Sequence, residues 1–389
     1  MEQRVIISQN LQNDLAMALT ECERDRIFVL TDTTTREKYW PVLSNFFGLK
    51  NAQIITIPAG DEHKNLESLS HVWSELQKGG ATRHSCMINL GGGMVTDLGG
   101  FAASTFKRGM NFINIPTTLL SMVDASVGGK TGINFGGLKN EVGVFNEPRF
   151  AIINAVFLKT LDNENLMSGY AEMIKHGLIS DDTMLANLLD FEPVIQELET
   201  EEKDAMVRRI HHMVAASVKV KQHIVNEDPR EKGLRKALNF GHTVGHAIEA
   251  WSLTPRPSTL DSDLRSSSGA TRQTERKLSS ALAATSVRPL LHGYAVAFGM
   301  VCELYLSCVK CGFPTEKMRQ VVNYIRENYG TCPITCDDYP ELLELMTHDK
   351  KNNSEAINFT LLSGVGELQL DRTATKEEIE EAFDFLREG

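Results

Sequence analysis

CMINLGGGMVTDLGG, residues 86–100, decides how the first part of the chain is read. The apolar run from Cys86 to Leu90 reads as a buried strand. The triplet Gly91-Gly92-Gly93 reads as a tight turn, and Met94-Val95-Thr96-Asp97 as the opening of a helix, with Thr96 or Asp97 the expected cap. Glycines between a strand and a helix let backbone N–H groups approach an anion closely. Three glycines in a row are not the G-x-G-x-x-G fingerprint, and a turn that binds nothing has the same spelling. The neighbouring segments tip the balance. RIFVLTD ends at Asp32, NAQIITIPAG runs into Asp61, and FINIPTT closes on Thr117 and Thr118. Each is a β-rich run that ends in polar turn chemistry, with helical segments between. Such alternation gives a parallel sheet covered by helices, which binds dinucleotides at the carboxyl ends of its strands. Asp32, at one such end, is suited to hold a ribose hydroxyl.

Beyond Leu161 the texture changes. NLMSGYAEMIKHGLI, AMVRRIHHMVAASVKVKQHIV and LRKALNFGHTVGHAIEAW carry helical periodicity, and strand signals return only in AINFTLLSGVGELQL. The expected architecture is therefore α/β: a Rossmann-like dinucleotide-binding domain over residues 1–155, then a mostly α-helical metal- and substrate-binding domain over 156–389. Residues 253–289 are rich in Ser, Thr, Arg and Ala with few large apolar side chains, and read as an exposed insertion.

The whole chain of 389 residues has 42% hydrophobic and 23% charged residues, as ordinary globular proteins do. Its formal net charge of −11 argues against a general nucleic-acid binder. An acidic protein that takes an anionic substrate must gather its cations at one place. The first residues show no signal-peptide pattern, and no apolar run reaches the about 18 residues of a membrane span, so a cytoplasmic enzyme without membrane or nucleic-acid partners is expected. Seven scattered cysteines make no disulfide framework. Cys308, Cys311, Cys332 and Cys336 loosely follow zinc-ribbon spacing, but Cys302, Cys308 and Cys311 lie in what reads as a buried helix.

Two groups of residues carry candidate chemistry. Glu172, His242 and His292 lie in three separate helical segments, each beside small residues, and such a set suits an open divalent-metal site. His242 and His246 share a helix face, so both bind metal or one works on substrate. Arg108, Lys130, Lys139, Lys175, Lys221, Arg235 and Lys350 recur in motif-like places, several of them read as loops, as a phosphate- and carboxylate-bearing substrate would require.

Taken together, GGGMVTDLGGFAASTFKRG, FINIPTTLLSMVDASVGGKTGIN, GGLKNEVGVF, SGYAEMIKHG, EKGLRKALNFGHTVGHAIEA and LHGYAVAFGM closely resemble the 3-dehydroquinate synthase family of sugar-phosphate cyclases, in the family's order from about Asp32 to Gly366. The resemblance implies metal ligation, by zinc or cobalt, at Glu172, His242 and His292. It implies NAD contacts at Asp32, Asp61, Lys64, Gly92, Gly93, Met94, Asp97, Thr117 and Thr118. It implies substrate contacts at Asp124, Lys130, Lys139, Asn140, Lys175, Lys221, Arg235, Asn239, His246 and Lys350. Of these, His246, Lys130, Asn140, Lys175 and Arg235 are the expected catalytic set. Arg108 is expected to reach the site of a second subunit, which makes a homodimer the functional unit. The implied reaction converts 3-deoxy-D-arabino-heptulosonate 7-phosphate to 3-dehydroquinate and phosphate, with NAD reduced and reoxidised within one turnover. Three positions depart from the family: Tyr294 stands where Glu often follows the last His-Gly, Asp61 where Glu is common, and residues 253–289 lengthen a usually short connection. The competing expectations are a cyclase acting on sedoheptulose 7-phosphate, a metal-dependent polyol dehydrogenase, and a binding protein without catalysis.

Overall fold

The structure, a computed structural model, describes residues 3–22, 24–136, 138–254, 289–347 and 357–388. Two compact units make up the chain, Met1–Leu238 and Asn239–Gly389.

The first unit holds a six-stranded sheet in the order β1-β8-β5-β4-β2-β3. Its strands are β1 (Arg4–Ile7), β2 (Ile27–Asp32), β3 (Gln53–Ile57), β4 (Cys86–Gly91), β5 (Asn111–Pro116) and β8 (Phe150–Ile153), and every pairing among them is parallel. β4 is buried along its whole length and β2 nearly so, which is why both read as continuous apolar runs rather than alternating ones. Helices α1 (Leu11–Glu21), α2 (Thr33–Leu43), α3 (Leu66–Lys78) and α4 (Gly93–Thr105) connect the strands. The chain steps from β2 to β3 on one side and then returns to place β4 on the other side of β2. That reversal is the switch point where open α/β sheets leave a crevice at the strands' carboxyl ends. Asp32 ends β2 and Gly91 ends β4 there, because Leu30 pairs with Asn89.

After the sheet come α5 (Asn163–Leu178), α6 (Asp182–Leu189) and α7 (Thr200–Glu227). α7 packs on the 3-10 turn Ala155–Thr160 and on the π-helical turn Ser121–Ala125, so these helices belong to the sheet's unit. The change of element type near residue 155 and the division into compact units at Leu238 are thus different boundaries. One feature of this unit was not expected. Lys130–Phe135 (β6) and Leu138–Phe145 (β7) form an antiparallel hairpin, so Lys130, Lys139 and Asn140 sit on strands rather than in loops. The glycines flanking them mimic loop composition, while Gly132 and Gly143 face each other across the pair, where a Cβ on either would meet backbone.

The second unit is built on α8 (His242–Leu253) and α9 (His292–Cys311), with α10 (Thr315–Tyr329), α11 (Tyr339–Thr347), the hairpin β9 (Ile357–Gly364) and β10 (Glu367–Ala374), and α12 (Lys376–Glu388) around them. α9 corrects the expectation about membrane-length segments: by length and composition it could cross a bilayer, yet 67% of its apolar window is buried inside the unit. It is the core helix, touching α8, α10, α12 and β9. Nearly all of the 253–289 stretch, and Lys350, lie outside the described residues.

Candidate active site

In the first unit the glycine turn joins β4 to α4 as its sequence suggested, with one change. Gly92, not Thr96 or Asp97, is the N-cap of α4, and no side chain caps it. The Thr96 hydroxyl donates to Gly93 O at 3.0 Å, and Asp97 turns to Lys64 instead. The first N–H groups of a helix have no partner within it, so this glycine-lined end offers backbone donors and the positive pole of the helix dipole. A Cβ on Gly92 would stand 3.1 Å from Thr118 Cγ2, so the passage between the β4 and β5 ends admits little beyond bare backbone. Thr117 N donates to Gly91 O at 3.0 Å and ties the two strand ends together. The Met94 side chain packs down on the apolar cluster and leaves its backbone at the helix end. Asp32 caps α2, its Oδ1 accepting from Thr35 N at 2.8 Å. Gly91, Gly92, Thr117 and Thr118 thus meet at the carboxyl ends of β4 and β5, with Asp32 ending β2 at the same sheet edge.

Six of the basic residues, Lys64, Lys130, Lys139, Lys175, Lys221 and Arg235, are held by acceptors. Lys64, buried, donates to Asp97 and to Asn140 Oδ1. Lys139 pairs with Asp61 Oδ2 at 3.1 Å, and Asn134 Nδ2 reaches the same oxygen at 3.2 Å. Burial pushes the Asp61 carboxyl up, but Lys139 and Lys64 overcome that and hold it below its usual range. At Asp97 burial wins over Lys64, and the carboxyl sits above its usual range. Deeper in, Lys221 on α7 donates to the Asp124 carbonyl at 2.6 Å and to its carboxylate. Burial alone would raise Asp124; the Lys221 ammonium overrides it and drives the carboxyl far below the ordinary range. Lys175 and Glu172, both fully buried on α5, form an ion pair one turn apart. His176 next to them has its Nδ1 2.6 Å from Ser217 Oγ, and burial first, then Lys175, lower its pKa to about 3. Arg235 Nη1 and Nη2 donate to Pro229 O and Gly128 O at 2.7 and 2.9 Å. Lys130 pairs with Glu231. Arg108 is exposed, in a turn where its φ is +68°.

In the second unit, His242 and His292 are each the first residue of a helix, and their ring centroids are 5.4 Å apart. The approach is set by glycine. A Cβ on Gly299 would lie 2.0 Å from Gly241 O, so α8 and α9 cross with their backbones in contact. His242 Nδ1 lies 3.1 Å from Phe240 O, and His292 Nδ1 lies 3.1 Å from Glu249 Oε2. Both partners only accept, so each Nδ1 carries a proton, and in a neutral ring Nε2 is then the nitrogen able to bind a metal. The donor chemistry therefore fits a divalent transition metal. His246 is exposed, its ring 5.2 Å from His242 and 6.0 Å from His292. Asn239 immediately precedes this segment and is half-buried. Tyr294 packs edge-on against Tyr329 at 5.1 Å. Among the described residues, no His, Cys, Asp and Glu group close enough to share a metal includes a cysteine.

Profiles of known families now place the chain. That of the 3-dehydroquinate synthase N-terminal domain matches residues 54–168, and that of the C-terminal domain matches 169–255 and 280–352. The chain belongs to the 3-dehydroquinate synthase family. It is 47% identical over 389 residues to the 3-dehydroquinate synthase of Parabacteroides distasonis, covering 100% of this chain and 99% of that one. Two solved synthases share the fold. The 2-epi-5-epi-valiolone synthase from Streptomyces hygroscopicus, solved with NAD+ and Zn2+, superposes with a TM-score of 0.75 at 22% identity, covering 99% of this chain and 97% of that one. A 2-deoxy-scyllo-inosose synthase, solved with carbaglucose-6-phosphate, NAD+ and Co2+, gives 0.72 at 21% identity, covering 100% and 96%.

Within this 3-dehydroquinate synthase family chain, several residues of the sites escaped the sequence reading. Asn134 donates to Asp61, and its Oδ1 accepts from Asn140 N at 3.0 Å. Glu231 holds Lys130, and Ser217 holds His176. Glu249 and Glu303 hold the ends of α8 and α9. Only Glu249 left a signal, since His242, His246 and Glu249 follow the spacing of one helix face.

Proposed function

We propose that this chain is a carbon–oxygen lyase that converts 3-deoxy-D-arabino-heptulosonate 7-phosphate to 3-dehydroquinate and phosphate. The observation that carries the reading is the 47% identity to a 3-dehydroquinate synthase along the entire chain. The concentration of Lys64, Lys139, Lys175, Lys221 and Arg235 in the first unit supports an acidic phosphorylated substrate, because a neutral polyol needs no such set. NAD binding is assigned to residues 1–155, with Asp32, Asp61, Lys64, Gly92, Gly93, Met94, Asp97, Thr117 and Thr118 as its contacts. Metal and substrate binding is assigned to residues 156–389, with substrate groups also drawn from the end of the first part.

Glu172, His242 and His292 are the proposed ligands of a zinc or cobalt ion. When bound, NAD supplies reversible hydride acceptance and the metal supplies acidification of a substrate hydroxyl. The chain's own side chains do the rest. Lys130, Asn140 and His246 hold the phosphate; Arg235, with Lys221 or Lys350, holds the carboxylate. Asp124 and Lys175 complete the polar surroundings, and Lys139 and Asn239 add substrate contacts. His246, exposed beside the two donor imidazoles, moves the proton. Fixed ion pairs such as Lys221 with Asp124 keep the cations in place before substrate arrives, so orientation and charge stabilisation are the main contributions.

A homodimer is part of the reading, with Arg108 acting across the interface. Its support is the β6–β7 hairpin, whose Phe135, Leu138 and Phe145 are 53%, 56% and 59% exposed. A cytoplasmic setting fits a biosynthetic enzyme of this family with seven unpaired cysteines. The substrate assignment is tested by supplying 3-deoxy-D-arabino-heptulosonate 7-phosphate and sedoheptulose 7-phosphate in parallel, with NAD and zinc. Consumption of the first alone is expected; consumption of the second alone would make the chain a sibling cyclase.

A further inference from the structure

α8 and α9 exchange buried carboxylates. On α8, Glu249 is 3% exposed and lies two turns beyond His242, on the same face. Its Oε2 meets Nδ1 of His292, the first residue of α9, at 3.1 Å. On α9, Glu303 is 0% exposed and lies three turns beyond His292. Its carboxylate accepts from the backbone N–H of Gly241 at 2.7 Å, Thr243 at 3.1 Å and Val244 at 3.3 Å, which are the start of α8 around His242. Each helix thus sends a carboxylate to the end of the other that carries a donor imidazole.

We infer that Glu249 and Glu303 form a reciprocal clamp that presets the two imidazoles for the metal, with Glu249 the positioning residue of His292. The inference rests on the metal reading above. Glu303 stabilises the open N-terminus of α8 and so fixes where His242 begins. Glu249 fixes the His292 tautomer, turns Nε2 outward and makes the ring a better electron donor. The two ligands differ in support: His242 leans on a neutral carbonyl, His292 on a carboxylate. The Tyr294 ring is engaged with Tyr329, and it is Glu249 that brings a carboxylate to His292.

The test uses the full-length protein, stripped of metal with a chelator and titrated with Co2+ alone, following the visible Co2+ absorption bands. Glu249→Ala is expected to weaken Co2+ binding on the order of 10–100-fold and to shift the bands. Glu249→Gln, which keeps an acceptor without the charge, is expected to recover part of that loss, and it stands in if the alanine variant does not fold. Wild-type affinity and an unshifted spectrum in Glu249→Gln and Glu249→Ala, with binding abolished in His242→Ala, would overturn the clamp and leave the metal reading standing. Wild-type Co2+ binding by His242→Ala would overturn the metal reading and the clamp with it.

Discussion

The glycine turn of the first unit and the imidazole pair of the second are built in opposite ways. The turn is made of what side chains leave out: Gly92 at an uncapped helix start, with Thr118 Cγ2 where a Cβ would need room. The donor pair is made of what side chains hold in, two imidazoles fixed by Phe240 O and Glu249 on helices that cross at Gly299. A site of backbone donors tolerates changes around it as long as nothing fills it. A site of oriented side chains depends on contacts many residues away, such as Glu303 on α9 reaching Gly241 before α8.

The contrast can be broken most severely at His242. His242→Ala is expected to lose metal retention and to lower turnover by several orders of magnitude while leaving NAD binding intact; metal analysis after gel filtration and an NAD titration read both. Normal turnover with full metal content would refute the ligand assignment. Gly299→Ala comes next, because its Cβ would lie 2.0 Å from Gly241 O. A loss of about 3 kcal/mol in a denaturant titration is expected, near the upper end of what overpacking costs, together with weaker metal binding. Gly92→Ala should act on the other side of the comparison: NAD binding about 10-fold weaker, or ~1.4 kcal/mol, with metal binding unchanged in the same preparation. A metal defect there would show that the two sites are not built independently.

The smallest effect at neutral pH concerns His176. Its pKa is lowered from 6.5 to about 3, so an unfolded chain takes up a proton below pH 6.5 that the folded one refuses. Stability from this group is therefore fully present above pH 6.5 and is lost as pH falls toward 3. In His176→Asn, where the amide can still bond Ser217, the unfolding free energy should fall less steeply over that range. An unchanged slope would assign the acid sensitivity elsewhere.

The sheet was legible because its signals are local. A buried parallel strand is an apolar run, and Asp32, Gly91 and Thr117 mark where three of them stop. β1 and β8, four residues each, are too short to show a period. The β6–β7 hairpin was hidden by its glycines and by β7 being exposed throughout. Texture alone placed a boundary near residue 155, whereas α5–α7 fold back on the sheet's unit, which no local pattern records. The same limit applies to the sites. Residue types and motif order pointed to His242, His292, Lys64 and Asp97, but the counter-ions that hold the cations, such as Glu231 on Lys130, are chosen by tertiary contact. Glu303 lies 62 positions from Gly241, beyond any helical spacing rule.

The most direct measurement follows phosphate release and NADH absorbance together, in one reaction containing the protein, 3-deoxy-D-arabino-heptulosonate 7-phosphate, NAD and zinc. Phosphate accumulating over many turnovers with no net NADH is the expected result, because the hydride taken from the substrate is returned to it. NADH rising in step with substrate loss, without phosphate, would contradict the cyclase reading and make the chain a dehydrogenase.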